Sequence, residues 1–363
     1  MRALAVVTPG IYEATDEHNR HMLVIDNLQI PLALVEGIAP EFDPNSEQFA
    51  NLVLVKKTSF SLNYRDLGVI ERAWYALKNT NMETYYPIGS DFAGYIEQVG
   101  KNVTQFQKGD LVIGDCFYPE PKEGVMPGIP SNHSSKEYEI YHQAKLIKVP
   151  ENISNLEAGT LSIGTQTAQS MVRKANIKKG NKVLVTSVTS NTSFFLLNTL
   201  WGKDCEVYGL SYSGENIETV KNHFPFIKTI YSVKENNIPT DLLFDVVLDA
   251  FSDTHLPLLL QNLNIGARYL TCGIFNQSSH KITNAQNVNL SSLIASLMMK
   301  NIQFIGNCLG TSKDLEEGLK HYQTNKMVID SVFNDSDSLT GFIERTYNYK
   351  QNKFGKVVFA YNN

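Results

Sequence analysis

The stretch KVLVTSVTSNTSFFLLNTLWGKDCEVYGL, from Lys182 to Leu210, constrains the fold more than any other part of the chain. Val183, Leu184 and Val185 form the short apolar run of a buried parallel strand. Thr186 to Thr192 is a polar turn, Ser193 to Trp201 a compact helix that Gly202 can end, and Cys205 to Leu210 the next strand. Strand, tight turn, helix, strand is the first unit of a doubly wound α/β sheet of the dinucleotide-binding kind. The turn departs from that pattern in one respect. Ser187, Ser190, Asn191 and Ser193 stand where glycines would allow the bend and the close approach of a pyrophosphate. Serine is small, asparagine tolerates left-handed backbone angles, and the helix start still offers free N–H groups beside the Thr192 and Ser193 hydroxyls. The same residues also read as an ordinary strand–helix junction with a Ser/Thr cap.

Bulk properties narrow the class. A chain of 363 residues suffices for two cored domains, and 42% hydrophobic residues is ordinary for a globular protein. A formal charge of −5 without a basic stripe argues against nucleic acid or an anionic membrane surface as partner. No run approaches the roughly 18 apolar residues of a membrane span, and MRALAVVTPG is too short a run for a signal peptide. Cys116, Cys205, Cys272 and Cys308 are scattered without a CxxC pair, which argues against a disulfide framework or structural zinc. The expected compartment is a reducing cytoplasm.

Along the chain, Met1–Val7 and Leu52–Lys56 read as strands, separated by a polar, poorly periodic stretch with a hairpin expected around Asp26–Ala33. SLNYRD, PIGSDFAG and VGKNVTQFQKGDLV follow in that order, with apolar/polar alternation between Gly and Asp turns as in a compact β-barrel. From about Val53 to the C-terminus this order resembles the medium-chain dehydrogenases/reductases, and within them the quinone oxidoreductase and acrylyl/enoyl reductase branch. The resemblance implies an α/β chain of two parts. A GroES-like β-barrel catalytic domain would span residues 1–160 and be completed by 310–363, and a doubly wound parallel-sheet Rossmann domain would span 161–309.

In the zinc-containing relatives a Cys, a His and a further Cys or acid hold the metal. Alignment to that pattern puts Asn63, Ser90 and Ile163 at those positions, and the lobe that would carry structural cysteines has Cys116 alone. Asp66, Asp91 and His133 lack ligand spacing, so no metal is expected. Without a Lewis acid, the natural acceptor is a C=C conjugated to a carbonyl, whose developing negative charge hydrogen-bond donors stabilise. The resemblance places Asn63 and Tyr64 beside the nicotinamide, Asn63 as donor to the acceptor carbonyl and Tyr64 as hydrogen-bond or proton donor. The plainer alternative makes Asn63 a turn residue, Tyr64 barrel packing and Arg65–Asp66 a local ion pair. Tyr85 and Tyr86 are further candidates for the same cleft, Tyr86 the one retained as catalytic. The loop Pro119–Ser135 reads as a lid or entry wall with His133 as a polar contact.

Asn155–Ala175 has helical periodicity interrupted at Gly164, and Thr167 matches the family threonine that reaches the nicotinamide. The cofactor contacts expected are Thr167, Ser187, Ser190, Asn191, Thr192, Ser193, Ser211, Tyr212, Ser213, Asp249, Gly273 and Ile274. Leu210–Ser211 supplies no carboxylate where one would grip the ribose diol of NAD, so NADPH is expected, with NADH as the alternative. The resemblance also implies that NIQFIG pairs with its symmetry mate in a homodimer. The SNTS turn and the stretch SNHSSKEYEIYHQAKLIKVP further resemble the dehydroalanine reductases of lantibiotic biosynthesis, and that resemblance implies the most specific substrate expectation, dehydroalanine in a lantibiotic precursor peptide reduced to D-alanine. Alternatives are a quinone or enone reductase of small molecules, an alcohol/carbonyl dehydrogenase, or a non-catalytic cofactor-binding protein.

Overall fold

Leu52–Ser61 is buried along nearly its whole length, which a strand achieves only when sheet neighbours and side-chain layers cover both faces. In the computed structural model it pairs antiparallel with Asp91–Val99, Tyr138–His142 and Lys356–Ala360. Around it a seven-stranded sheet forms, with Ile329–Asn334 at one end of the order and Leu146–Lys148 at the other. Every residue is described except 123, 213, 235–236, 277–288, 349–352 and 363.

The described chain divides into two units, Met1–Ile163 with Tyr322–Asn363, and Gly164–His321. In the first, Phe60, Phe92, Phe342, Phe359 and Ile70 fill one apolar core. A four-stranded antiparallel sheet stands beside the larger one, in the order Arg20–Ile25, Leu28–Glu36, Arg2–Val7, Tyr85–Pro87. The polar stretch after the first strand thus contributes a hairpin turning at Asp26, whose φ of 53° is left-handed. The C-terminal strand returns to the barrel.

The second unit is a parallel six-stranded sheet in the order Ile227–Ser232, Glu206–Ser211, Lys182–Val185, Phe244–Asp249, Leu263–Thr271, Gln303–Gly306. This is the doubly wound arrangement, with Leu184, Val247, Phe244 and Tyr269 in its core. The helix Ser312–Tyr322 goes with this unit up to His321, because Leu315 and Leu319 are buried and Asp314 takes two hydrogen bonds of 2.8 Å from Arg173. The division falls at 163/164 and 321/322, against 160/161 and 309/310 read from sequence. Asn155–Ala175 is one unbroken helix, not one interrupted at Gly164. Glycine is needed there because an added Cβ would sit 2.2 Å from the Phe195 ring.

Candidate functional site

In the first unit Asn63, Ser90 and Ile163, distant in sequence, converge beside Asp91. The long central strand delivers Asn63 just past its end, and Asp91 opens the strand paired with it. Asn63 Nδ2 donates to Asp91 Oδ2 at 2.7 Å and to Ser90 Oγ at 3.1 Å, and the Ile163 N–H donates to Asp91 Oδ1 at 2.9 Å. Ser90 Oγ donates to Asp66 Oδ2 at 2.8 Å, and that oxygen also accepts the Asn63 N–H at 2.8 Å. Lys356 Nζ, from the C-terminal strand, donates to Asn63 Oδ1 at 2.7 Å and lies 3.4 Å from Asp91 Oδ2. Lys356, Asp66 and Asp91 are wholly buried. Burial raises the Asp66 pKa, although Arg65 at 2.8 Å and the Asn63 and Ser90 donors pull it down.

Both Asn63 amide hydrogens are therefore committed, and its carbonyl is taken by Lys356. Asn63 has no hydrogen to offer an acceptor carbonyl, and its expected role as direct donor gives way to that of a positioning residue. The donor set does not fit zinc either. An amide, a hydroxyl and an aliphatic chain stand at the ligand positions of the resemblance, and an ammonium faces the Asn63–Asp91 pair. Among the described residues no group of three or more His, Cys, Asp or Glu is arranged to hold a metal ion.

A second set of contacts gathers the remaining expected residues of this unit. Arg65 Nη2 donates to Asn132 Oδ1 at 3.0 Å, and the Ser134 N–H donates to the Gly89 carbonyl at 3.1 Å. The Tyr86 ring meets His133 edge-on, with centroids 4.9 Å apart. Tyr64 is half-buried in the turn before the helix Asp66–Leu77. Asn63, Tyr64, Tyr86 and His133 thus share one region. The loop's second half is pinned to the barrel rather than hanging free. Ser131 Oγ donates to Glu139 at 2.8 Å, and Lys57 Nζ donates to Glu139 at 2.5 Å and to the His133 carbonyl at 3.1 Å. Burial drives the Lys57 ammonium down to about 8 despite Glu139, and burial likewise lowers His133. The buried Nε2 of His133 meets no hydrogen-bond partner among the described residues.

The second unit builds its turn from hydroxyls. Ser190 caps the helix Asn191–Leu200, accepting the Ser193 N–H at 3.2 Å. Ser193, wholly buried, folds its hydroxyl back to donate to the Thr186 carbonyl at 2.7 Å, binding the helix start to the strand end where glycine would allow contact. Asn191 and Thr192, half-buried, begin the helix and present N–H groups that have no intrahelical acceptor. Ser187 has φ 45°, left-handed as the glycine of such a turn would be. A cradle of this shape, open at a helix N-terminus and free of carboxylate side chains between Thr186 and Leu200, fits the pyrophosphate of a dinucleotide.

Asp249 closes the strand Phe244–Asp249 wholly buried. Its carboxylate accepts from Thr186 Oγ1 at 2.5 Å, the Phe251 N–H at 2.8 Å, His255 Nδ1 at 2.8 Å and the Tyr269 hydroxyl. Burial raises its pKa, but the His255 imidazole, and after it Thr186 and Tyr269, hold it below the usual carboxylate range. Asp249 faces these groups instead of a ligand, a correction to the contact expected from sequence.

Ser211 is buried and accepts the Gly214 N–H at 3.3 Å, while Tyr212 is exposed with Lys234 Nζ 5.3 Å from its ring centroid. Ser213 lies outside the described residues. Thr167 is buried on the long helix. Ile274 is exposed, and Gly273 runs against the backbone of Ala250, whose carbonyl lies 2.8 Å from where a Cβ would be. Lys356, His255 and Lys234 were not singled out in the sequence. Lys356 leaves a faint signal as a lysine opening the apolar strand KVVFA, whereas the other two leave none.

Comparison with known proteins fits this picture. Residues 50–151 match the alcohol dehydrogenase GroES-like domain. An acryloyl-coenzyme A reductase of Sulfurisphaera tokodaii is 25% identical over 346 residues, covering 89% of this chain and 96% of that one. A zinc-type alcohol dehydrogenase-like protein of Schizosaccharomyces pombe is 26% identical over 333 residues, covering 84% and 90%. The quinone oxidoreductase of Coxiella burnetii superposes with a TM-score of 0.69 at 18% identity over 99% of each chain, a likeness of fold. The chain carries an alcohol dehydrogenase GroES-like domain and is similar over most of its length to proteins named as reductases and alcohol dehydrogenases, which makes its likeness one to oxidoreductases of the medium-chain dehydrogenase/reductase kind.

Proposed function

We propose that this chain is an NADPH-dependent reductase of a carbon–carbon double bond conjugated to a carbonyl. The observation that carries the reading is the pairing of a hydroxyl-built phosphate turn in one unit with a donor set unfit for zinc in the other. A nicotinamide dinucleotide, when bound, supplies the hydride. Ser187, Ser190, Asn191, Thr192 and Ser193 would hold its pyrophosphate, with Thr167, Gly273 and Ile274 towards the nicotinamide. Ser211, Tyr212 and Ser213 would take the adenosine ribose. Lys234 beside Tyr212 supplies the cation that a 2′-phosphate needs, absent from the sequence of the turn itself, and so supports NADPH over NADH.

The protein's own part is to bind, orient and protonate the acceptor. Tyr64 would donate to the acceptor carbonyl or give the proton to Cα, with Tyr86 as the second hydroxyl of that region. The Tyr86 hydroxyl makes no hydrogen bond with any described residue, which leaves it available. Asn63, held by Lys356, Asp91 and Ser90, would fix the turn that carries Tyr64. The name of the Sulfurisphaera relative, an acryloyl-coenzyme A reductase, supports a conjugated alkene as substrate class. Dehydroalanine in a lantibiotic precursor peptide, an alkene flanked by an amide carbonyl and reduced to D-alanine, is the most specific substrate of that class. Small enones and quinones are the alternative.

The test is a fluorescence titration with NADPH and NADH, read through Trp201 at the end of the turn's helix, followed by turnover of enones and of a dehydroalanine peptide. Micromolar NADPH binding and a gain of two hydrogens by the peptide are the expected results. Enone reduction with an unchanged peptide mass removes the peptide reading, and the absence of any nucleotide binding removes the enzyme reading.

We also propose a homodimer. The strand Gln303–Gly306 ends the parallel sheet with Phe304 exposed, and the helix Leu290–Met299 before it exposes Leu290, Ile294, Met298 and Met299. An unpaired edge beside an apolar face is the form of surface that a second copy covers. A monomer by sedimentation at micromolar concentration counts against it.

A further inference from the structure

Ser187, His255 and Asp249 stand in a line at the carboxyl end of the parallel sheet. His255 Nδ1 is 2.8 Å from Asp249 Oδ1, and its Nε2 is 3.5 Å from Ser187 Oγ, the outer limit of a hydrogen bond. His255 is buried on the helix Ser252–Leu259, which follows the strand that Asp249 closes. Ser187 sits at a strand–turn–helix junction with a left-handed φ of 45°. Serine, histidine and aspartate in this order at such an elbow have the outward form of a nucleophilic triad.

One backbone hydrogen bond decides against nucleophilic chemistry. An acyl-transfer elbow uses the N–H of the residue after the nucleophile to stabilise the oxyanion. Here the Val188 N–H is given to the Leu210 carbonyl at 3.0 Å. The array therefore lacks the donor that would make Ser187 a catalyst. What it does have is the geometry to hold a backbone. The Ser187 carbonyl accepts the Ser190 N–H at 2.7 Å, the Thr186 carbonyl accepts Ser193 Oγ at 2.7 Å, and Asp249 takes Thr186 directly while reaching Ser187 through His255. Adjacent turn residues are thus anchored to one buried carboxylate.

We propose that His255, fixed by Asp249, is a positioning residue for the phosphate turn: it holds Ser187 in the left-handed conformation that a glycine would adopt unaided, and so keeps the following N–H groups aimed at the pyrophosphate of a dinucleotide. This inference rests on the nucleotide reading given above. Left-handed backbone is unfavourable for a residue with a Cβ and nearly free for glycine, so a side-chain brace at this position compensates for the missing glycine.

The prediction is a coupling between positions 187 and 255. In the full-length protein, His255→Leu weakens NADPH binding about tenfold, the size of a left-handed penalty. In a Ser187→Gly background the same change weakens binding by less than about twofold, because glycine needs no brace. His255→Leu leaves Asp249 with Thr186, Tyr269 and the Phe251 N–H as donors, so the buried carboxylate stays partnered. His255→Asn, with melting curves for all variants, covers the case in which leucine perturbs folding. Equal losses in the two backgrounds overturn the brace while leaving the nucleotide reading intact. Covalent labelling of Ser187 by a fluorophosphonate overturns it in favour of a nucleophile. No binding of NADPH or NADH by the unaltered protein overturns the nucleotide reading itself, and the brace with it.

Discussion

The barrel unit and the sheet unit secure their candidate sites by different physics. In the barrel, opposite charges are buried together: Lys57 with Glu139, and Lys356 with Asp91 beside the Arg65–Asp66 pair. In the sheet unit, the turn is held by neutral hydroxyls and one carboxylate that accepts from an imidazole, two hydroxyls and a backbone N–H. Buried ion pairs are costly to assemble and costlier to break, because removing one partner strands the other charge. Hydroxyl networks lose less per group removed, since a neutral hydrogen bond contributes about 1 kcal/mol net. The barrel's site should therefore be rigid and intolerant of substitution, and the turn more forgiving.

The largest effect should come from breaking the barrel's pair. Lys57→Met leaves Glu139 buried with Tyr141 and Ser131 as its remaining donors, and should cost on the order of 3–5 kcal/mol in urea unfolding. A loss below about 1 kcal/mol would show that the pair is solvated and that the contrast between the units is false. Next in size, Tyr64→Phe should lower turnover by about 10²-fold with NADPH affinity unchanged, which steady-state rates and the fluorescence titration separate. Unchanged turnover removes Tyr64 from the chemistry.

Asp249→Asn should cost about 1–3 kcal/mol, and its pH dependence sharpens the comparison. The folded-state pKa of Asp249 lies below the ordinary carboxylate value. Its contribution is present above the unfolded value of about 3.9 and is lost as the pH falls through the folded one. The Asp249→Asn variant should therefore lose less stability than the unaltered protein as the pH falls below about 4, as acid unfolding curves would reveal. Parallel curves would mean that Asp249 is not the ionised anchor of the turn. The smallest effect is one of specificity. Lys234→Glu should shift the NADPH to NADH preference by about tenfold towards NADH. A ratio of dissociation constants unchanged by the substitution removes Lys234 from the 2′-phosphate site.

Much of the architecture was legible in the chain. VLV before a polar turn, the run DVVLD and the alternation in the barrel segments carry hydrophobic periods that local sequence states directly. The Ser/Thr composition of the turn read as a helix cap, and the structure puts that cap at Ser190, with the helix starting at Asn191 instead of the expected Ser193. The fate of single polar groups was not legible in the same way. Asn63 read as a donor to substrate and Asp249 as a cofactor contact, and both turned out saturated by partners from distant segments: Lys356 lies 293 positions from Asn63, and Tyr269 20 from Asp249. Gly164 read as a break in a helix, and proved to be the place where the Phe195 ring leaves no room for a Cβ.

The sequence by itself determined the fold class, the first strand–turn–helix–strand unit of the parallel sheet, and the chemical types available at each site. Periodicity and turn chemistry are local, and a reader of the chain has them in hand. Only the tertiary structure decided which of those groups still have a hydrogen to give or a lone pair to offer. A hydrogen bond is consumed by whatever the fold brings within about 3 Å, and burial makes that choice final because water is not there to replace the partner.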